Sequence, residues 1–392
     1  MEKQRAEYYD YNLIAVILLL VGFGLVMLYS TSAYTAELQH GDDMYFFARQ
    51  ARVSIASILL AVGLSFVDYH YLWNLGWVSY IGSAVLMLLV KTPLGVEVNG
   101  AKRWLNLGIT FQPSEIAKIA IIIFVPMLIA QQGKAFRGLK ACAAPFMAGL
   151  VLSLITYIFT DNLSTAVIIL GIDVLIIFVA HPKTRPFIIA FAVLTVLVVI
   201  GTIIIWRVAE NAPVDSFRLR RILVWKDPEK YITEGGYQVM QSLYAIGSGG
   251  IFGKGLGNSM QKLGWLPEAQ NDMIFPIIVE ELGIFGGAIV IFLFIYMLYR
   301  LLFIAENAPD LYGALIVTGV FSHIALQVVL NICVVLGILP TTGVTLPFIS
   351  YGGTSVLFLM MEMALALSVS RMIRSKKAVK DLWGNVVRNS EI

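Results

Sequence analysis

Long runs of apolar residues, separated by short polar connections, dominate the hydrophobic pattern of this chain. Each run is about 20 residues long, the length that an α-helix needs to cross the hydrocarbon core of a bilayer. We therefore expect an all-α integral membrane protein that forms one domain over residues 1–392. Ten membrane-spanning helices are predicted, at residues 12–33, 47–67, 71–90, 113–132, 140–160, 163–180, 186–207, 273–300, 312–338 and 346–373.

Composition and charge support this prediction and give it an orientation. Only 14% of the residues are charged and 58% are hydrophobic, whereas a soluble domain carries about 25% charged residues. If the N-terminus is cytoplasmic, the cytoplasmic segments hold fourteen Lys and Arg and the short external segments hold five. This bias follows the positive-inside rule. Both termini are therefore predicted to be cytoplasmic, with residues 374–392 as a cytoplasmic tail.

One connection differs from the others in length. Residues 208–271 form a long predicted external loop, and they contain patterned stretches such as SFRLRRILVWKDPEKY. Structureless loops of this length are uncommon and are usually functional when they occur. We expect amphipathic helices that lie along the outer membrane surface.

Two familiar kinds of enzyme are excluded by their missing motifs. The stretch GSGGIFGKGLGNS at residues 247–259 resembles a phosphate-binding loop, but Ser248 and Gly255 stand where a Walker A motif requires Gly and Ser or Thr. The four histidines are scattered and no HExxH motif is present. Neither a nucleotide enzyme nor a zinc enzyme is predicted, and no nucleic acid partner is expected.

Ionisable residues at the start of the fourth span form the first candidate cluster. Lys102, Arg103 and Trp104 precede the span, and Glu115 and Lys118 lie inside it. The spacing of three residues places Glu115 and Lys118 on one helical face, where they can pair. They form either a structural ion pair or the wall of a polar cavity, because charges in lipid are costly unless they are paired or solvated.

The tight turn between the fifth and sixth spans contains the second cluster. Asp161 lies in the stretch FTDNLSTA, in which Asp161 or Asn162 can cap the sixth span. The alternative is that Asp161 contributes to a functional site on the outer face.

The stretch LPEAQNDMIFPIIVEELG at residues 266–283 contains the third cluster, with Asp272 at the outer entrance of the eighth span. Glu280 and Glu281 lie about two turns deeper, rotated from Asp272 by roughly 80° and roughly 180°. Glu280 is predicted to line a cavity continuous with Asp272, and Glu281 to face another helix. Asp272 is either a helix cap or a base, since partial burial at the membrane boundary raises the pKa of a carboxyl group.

Cations and aromatic residues are predicted on the same outer side as these acids. Cations suit a phosphate, and aromatic rings suit sugars or lipid headgroups, although ordinary interfacial anchoring also explains many of the aromatic residues. The pattern indicates a site for an anionic amphiphile. Its candidate residues are Lys102, Arg103, Arg218, Arg220, Arg221, Lys226 and Lys254, with Trp104, Trp225, Tyr237 and Trp265.

Three long motifs resemble the SEDS family (shape, elongation, division, sporulation), the peptidoglycan glycosyltransferases that include FtsW and RodA. The motifs are GYQVMQSLYAIGSGGIFGKGLGNS, LPEAQNDMIFPIIVEELG and LPTTGVTLPFISYGGTS. The similarity extends over nearly the whole chain, and the third motif is closer to the FtsW branch than to RodA. The resemblance implies a ten-helix enzyme of the bacterial cytoplasmic membrane, with its active site facing outside.

The resemblance also implies a reaction, the polymerisation of lipid II with inversion at C1 and release of undecaprenyl pyrophosphate. The essential aspartate of the family corresponds to Asp272, the general base. Implied substrate contacts are Lys102, Arg103, Trp104, Glu115, Lys118, Asp161, Arg218, Arg220, Arg221, Glu280 and Ser350. A divalent cation at Asp272, Mg²⁺ or Mn²⁺, is an alternative electrophile.

The chain departs from the family pattern at two places. The family usually has His-Thr before the essential aspartate, where this chain has Gln270 and Asn271. The family also usually has an acidic-Pro-Asp turn between the fifth and sixth spans, where this chain has Thr160, Asp161 and Asn162. The second departure weakens any detailed role for that turn.

The implied partners are lipid-linked glycan, a class B penicillin-binding protein with one span, and other divisome or elongasome proteins. Gly313, Ala314 and Gly319 on the ninth span suit close helix packing. Two alternative functions share the predicted features: a flippase for lipid II and a non-catalytic scaffold for division.

Overall fold

The computed structural model describes residues 9–98, 100–108, 110–209 and 217–373. Twelve α-helices and a small three-stranded sheet are found in these residues. Their bounds are α1 Tyr11–His40, α2 Tyr45–Ser65, α3 Tyr71–Leu89, β1 Gly95–Val98, β2 Ala101–Asn106, β3 Thr110–Phe111, α4 Pro113–Gln132, α5 Ala143–Thr160, α6 Leu163–Ala180, α7 Arg185–Ala209, α8 Phe217–Lys226, α9 Gly236–Gly249, α10 Ile274–Asn307, α11 Leu311–Val335 and α12 Thr354–Arg371.

Ten of the helices in the described residues are long and apolar enough to cross a membrane, which confirms the predicted number of spans. They are α1–α7 and α10–α12. Because consecutive spans run in opposite directions, the connections lie at two ends of the bundle. We call the end with the sheet, α8 and α9 the loop face, and the end where α1 begins and α12 ends the terminal face. The predicted tail at residues 374–392 lies outside the described residues.

The predicted tenth span was wrong at its start. Residues 346–353 are irregular, and α12 begins only at Thr354. Pro347 and the pair Gly352–Gly353 interrupt helical geometry, and Phe348 has a φ of 64°. Sequence hydrophobicity alone cannot separate this buried irregular segment from the helix that follows it.

Packing divides the spans into a buried centre and an exposed periphery. In the most apolar 18-residue stretch of α4, 83% of the residues are buried, whereas in the corresponding stretch of α7 no residue is buried. α4 packs against α3, α5, α6 and α11, while α7 contacts the short helix α8. α7 is apolar on all sides and is not covered by the rest of the protein, so it faces lipid.

The small residues of α11 pack inside the bundle. A Cβ added at Gly313 would lie 2.9 Å from the ring of Tyr69, and one added at Gly319 would lie 3.1 Å from Ile122 and Ile176. The close helix packing predicted from Gly313 and Gly319 is therefore present, but within this chain.

Buried ion pairs connect helices that are distant in sequence. Asp10 caps α1 by accepting a hydrogen bond from the Leu13 amide, and it also pairs with Arg300 of α10 at 2.7 Å. His323 of α11 contacts Glu362 of α12 at 2.6 Å, with both side chains fully enclosed. Such pairs satisfy polar groups that lipid cannot solvate.

Candidate functional site

Asp272 lies at the loop face, two residues before α10. The buried side chain of Asn331 on α11 holds the backbone of Asp272, because Asn331 Nδ2 donates to the carbonyl oxygen of Asp272 at 2.8 Å. The same Nδ2 donates to the carbonyl oxygen of Val344 at 2.7 Å. One amide therefore joins Asp272 to the segment between α11 and α12.

That segment, residues 341–345, is called here the threonine segment. Three further side chains hold its carbonyl oxygens: Arg221 Nη1 donates to Thr341 at 2.8 Å, Ser164 Oγ to Thr342 at 2.9 Å, and Gln327 Nε2 to Thr345 at 3.0 Å. Donors from α6, α8 and α11 thus converge on one short stretch of backbone.

Gly343 leaves space beside the carboxylate of Asp272. Its φ of 73° lies in the left-handed region that favours glycine, and an added Cβ would lie 3.9 Å from Asp272 Oδ2. The threonine segment therefore passes close to the acid, with backbone rather than a side chain next to it.

The carboxylate of Asp272 is only partly exposed, and its Oδ1 is buried with no hydrogen-bond partner among the described residues. Burial and the negative charge of Glu268 raise the pKa of Asp272 to about 7, although the positive charge of Arg221 acts in the opposite direction. A carboxyl group with this pKa exchanges protons near neutral pH, which suits a general base.

The turn before Asp272 explains the position of Glu268. Glu268 has a φ of 57°, and its carbonyl oxygen accepts from the amides of Asn271 at 3.0 Å and Met273 at 3.3 Å. The Tyr351 amide donates to the carbonyl oxygen of Gln270 at 2.9 Å. This turn is therefore attached to the irregular stretch before α12.

Asp161 belongs to a neighbouring group of charges. Lys91 Nζ pairs with its Oδ2 at 2.9 Å, and Arg103 Nη2 donates to its carbonyl oxygen at 3.2 Å. Of the two caps considered for α6, Asn162 supplies the hydrogen bond, since its Oδ1 accepts from the Thr165 amide at 3.1 Å. Ser164, two residues further on, holds the threonine segment, so this group adjoins the Asp272 site.

The ion pair expected between Glu115 and Lys118 is present, with 2.9 Å between Lys118 Nζ and Glu115 Oε1. Both residues are buried in the first turns of α4, which packs against α6 and α11. Their geometry is that of a structural pair, and contact with substrate stays a prediction.

The position of Glu280 requires a correction. Glu280 does not line a cavity: it is fully enclosed beneath residues 249–262, called here the docked segment. Lys254 Nζ pairs with Glu280 Oε1 at 2.7 Å, and Ser259 Oγ and the Met260 amide also donate to its carboxylate. The rotation about the helix gives the direction of the Glu280 side chain but cannot show which segment covers it.

Glu281 faces α1, as predicted for a residue turned towards another helix. Ser30 Oγ of α1 donates to its carboxylate at 2.8 Å, and Lys262 Nζ pairs with Oε1 at 2.7 Å. Both acids therefore bind the docked segment to α10, which has non-helical backbone at Gly283.

The remaining candidates have varied surroundings. Ser350 is buried, and its Oγ accepts from the Leu346 amide at 2.9 Å, so it stabilises the irregular segment. Lys102 and Trp104 lie on β2, opposite Glu97 and Val96 of β1. Arg220 precedes Arg221 on α8, whereas the side chain of Arg218 lies outside the described residues. Substrate contact by these residues stays a prediction.

Three residues that contribute to the candidate site were not assigned to it from the sequence: Lys91, Glu268 and Asn331. Asn331 had a usable signal, because an amide side chain inside an apolar span must find a hydrogen-bond partner. Lys91 and Glu268 stand in polar connections, where a charged residue is ordinary and gives no such signal.

The donor set at Asp272 does not build a metal site by itself. No group of three or more His, Cys, Asp or Glu residues that could hold an ion occurs within the described ranges. Asp272 supplies one carboxylate with the positive charge of Arg221 nearby, whereas protein sites for divalent cations gather several oxygen ligands. The described residues around Asp272 therefore do not by themselves fit the divalent cation predicted as an alternative electrophile.

Comparison with known proteins gives consistent results over nearly the whole chain. A family described as cell cycle proteins, whose model is named for FtsW, RodA and SpoVE, matches residues 10–375. Stage V sporulation protein E of Bacillus subtilis is 36% identical over 368 residues, covering 93% of this chain and 98% of that protein. A probable peptidoglycan glycosyltransferase FtsW of the same organism is 35% identical over 379 residues, covering 95% and 93%.

A solved structure shares the fold. It comes from work on the structural coordination of polymerization and crosslinking by a peptidoglycan synthase complex. The matched chain superposes with a TM-score of 0.75 at 28% identity, and the match covers 94% of this chain and 99% of that one.

Proposed function

Because this chain belongs to the FtsW, RodA and SpoVE family, we propose that it polymerises lipid II with Asp272 as general base. It is a peptidoglycan glycosyltransferase of cell wall synthesis and a multi-pass bacterial membrane protein, as the family resemblance predicted. We further propose that Asp272 is the base, that C1 is inverted, and that basic residues near Asp272 contact the substrate. The observation that carries it is the buried carboxylate oxygen of Asp272, which lacks a protein partner among the described residues.

In the proposed step, the Asp272 carboxylate takes the proton from the 4-hydroxyl of the acceptor GlcNAc. The hydroxyl oxygen then forms a bond to C1 of the donor MurNAc from the face opposite the diphosphate. The bond between C1 and the diphosphate oxygen breaks, so C1 is inverted and undecaprenyl pyrophosphate leaves with the electron pair. One acid is sufficient because diphosphate is already a good leaving group.

Cations beside Asp272 support the departure of the diphosphate. Arg221 is close enough to affect the pKa of Asp272, and Arg103 contacts the neighbouring Asp161 backbone. Guanidinium groups bind phosphate oxygens in a bidentate manner and neutralise the charge that develops. We assign this role to Arg103 and Arg221, with Lys102 and Arg220 as further contacts.

The proposed orientation puts the loop face outside the cell. The distribution of Lys and Arg favours cytoplasmic termini, and the termini of the bundle lie at the opposite end from Asp272. Lipid II would then be polymerised on the outer leaflet, with its sugars in water and its tail in the bilayer.

Polymerisation by purified protein tests the proposed function. We expect glycan strands from lipid II in detergent, and more of them when a cognate class B penicillin-binding protein is present, since the matched solved structure is from a synthase complex. Gel electrophoresis of labelled product measures both. Absence of polymer despite a bound partner would contradict the proposal and favour a flippase, which needs a membrane with two leaflets.

The pH dependence of the reaction follows from the pKa of Asp272, about 7. A base acts only as the carboxylate, so activity is lost as the pH falls through 7 and is fully present above it. The initial rate at subsaturating lipid II should rise about tenfold between about pH 6 and pH 8.

The substitution Glu268→Gln removes a charge that raises the pKa of Asp272. The midpoint of its rate profile should therefore move to lower pH. Glu229→Gln is the matched control, because Glu229 is an exposed acid of the same loop. A midpoint that stays in place in the Glu268 variant would contradict this assignment.

A further inference from the structure

Two arginines at the start of α2 form a cationic surface that the proposed site does not use. Arg49 and Arg52 are three residues apart, which places them on the same helical face. Together with Tyr45 and Val53 they line an open cavity of about 450 Å³. Both guanidinium groups are solvent-exposed and can meet a ligand.

No acid neutralises these arginines within the described residues. Arg52 Nε donates to the carbonyl oxygen of Ala48 on its own helix at 3.1 Å, and the Arg49 side chain hydrogen-bonds Tyr351. Neither arginine takes part in an ion pair with a carboxylate of the described residues. The two nearest acids in sequence have other hydrogen bonds: Asp42 Oδ1 accepts from the Met44 amide, and Asp43 Oδ2 from the Tyr29 hydroxyl. The cavity therefore carries two positive charges that are not balanced by a described acid.

Short connections join this cavity to Asp272. Gln50, adjacent to Arg49, accepts from the Gly353 amide at 3.3 Å, and the Tyr351 amide donates to Gln270 at 2.9 Å. The irregular stretch at residues 351–353 thus lies between the cavity and the turn that ends at Asp272. Arg221 of α8 is close enough to lower the pKa of Asp272, and Arg103 of the sheet contacts the neighbouring Asp161, so these two basic groups lie on other elements than α2.

The proposed reaction requires two lipid-linked diphosphates. The donor releases its diphosphate during the step, while the acceptor keeps its own, so both anions must be held near one base without approaching each other. We propose that Arg49 and Arg52 bind the diphosphate of the acceptor, while Arg103 and Arg221 serve the donor. This inference rests on the proposed function.

The surface of α2 below the cavity suits a lipid of this kind. Ile55, Leu59 and Val62 follow Arg52 at helical spacing, and their exposed fractions are 59%, 69% and 42%. An anionic headgroup at the arginines would therefore place its hydrocarbon chain along an apolar face that already lies in the bilayer.

The first test measures binding, with farnesyl diphosphate as the probe and purified full-length protein in detergent. Wild type should bind two equivalents, and Arg49→Gln combined with Arg52→Gln should bind one. In polymerisation assays each single variant should raise the KM for lipid II about tenfold with little change in kcat, as for loss of a charged hydrogen bond. Arg137→Gln, an exposed arginine near the terminal face, is the matched control.

Two results would overturn the inference. The first is a double variant that still binds two equivalents of farnesyl diphosphate and has an unchanged KM for lipid II. The second is phosphatidylglycerol competing with farnesyl diphosphate as well as a diphosphate does, which would indicate ordinary headgroup contacts. Arg49→Lys with Arg52→Lys should recover part of the affinity, because charge is kept and the bidentate geometry is lost. If wild type binds two equivalents but makes no polymer even with its partner, the proposed function fails and the diphosphate subsite stands.

Discussion

Asp272→Asn is expected to reduce lipid II polymerisation by roughly a thousandfold, the usual contribution of a positioned general base. The substitution keeps the size of the side chain and removes only its ability to take a proton. The measurement is the rate of glycan formation by purified protein with its transpeptidase partner present.

Stability separates this effect from misfolding. Because burial raises the pKa of Asp272, the charged carboxylate is unfavourable in the folded protein above pH 7. The asparagine variant should therefore unfold at no lower temperature than wild type at pH 8. Asp227→Asn, an exposed acid of the same loop, should retain activity. Equal polymer from wild type and Asp272→Asn would remove Asp272 as the base.

Lys262→Met is expected to give the largest loss of stability, about 3–5 kcal/mol, because it leaves the buried Glu281 without its counter-ion. Polymerisation should fall as well, since the docked segment leads directly into the turn that carries Asp272. Thermal unfolding in detergent, followed by intrinsic fluorescence, measures the first effect.

Three comparisons give this prediction its controls. Lys134→Met alters an exposed lysine near the terminal face and should be nearly neutral. Lys254→Met should cost less than Lys262→Met, because Lys254 is about one-third exposed and Glu280 keeps donors from Ser259 and Met260. Adding Glu281→Gln to Lys262→Met should recover much of the loss. A double variant no more stable than Lys262→Met would show that the ion pair is not the cause.

The spans were predictable because membrane crossing is a local property of the chain. A run of about 20 apolar residues is sufficient to identify a helix, and this identified even α7, which contacts little of the protein. The start of α12 was not predictable, since Leu346, Pro347, Phe348 and Ile349 are buried and apolar without being helical.

The residues of the candidate site were predictable only where the chemistry of a single side chain pointed to its role. Asp272 was a candidate because a carboxylate partly buried at the membrane boundary is a better base, and Arg221 because a cation on the outer side suits a phosphate. The raised pKa of Asp272 supports the argument for a base. Asn331 and the threonine segment were missed, because their contribution depends on contacts between segments far apart in sequence. Glu280 was misplaced for the same reason: helical rotation gives its direction but not the docked segment above it.

The docked segment also determines how this protein must be assembled in the membrane. Acids within an inserting helix are costly, by up to about 2.5–3.5 kcal/mol each at its centre, and α10 carries Glu280 and Glu281 side by side near its N-terminal end. Their partners Lys254 and Lys262 precede α10 in the chain and, in the proposed orientation, have already been translocated when α10 enters the membrane. The insertion machinery therefore handles two acids before they can pair, and the apolar remainder of α10 must drive its integration. Ion pairing follows as a late step of biogenesis, after the helix and the loop have reached the same side.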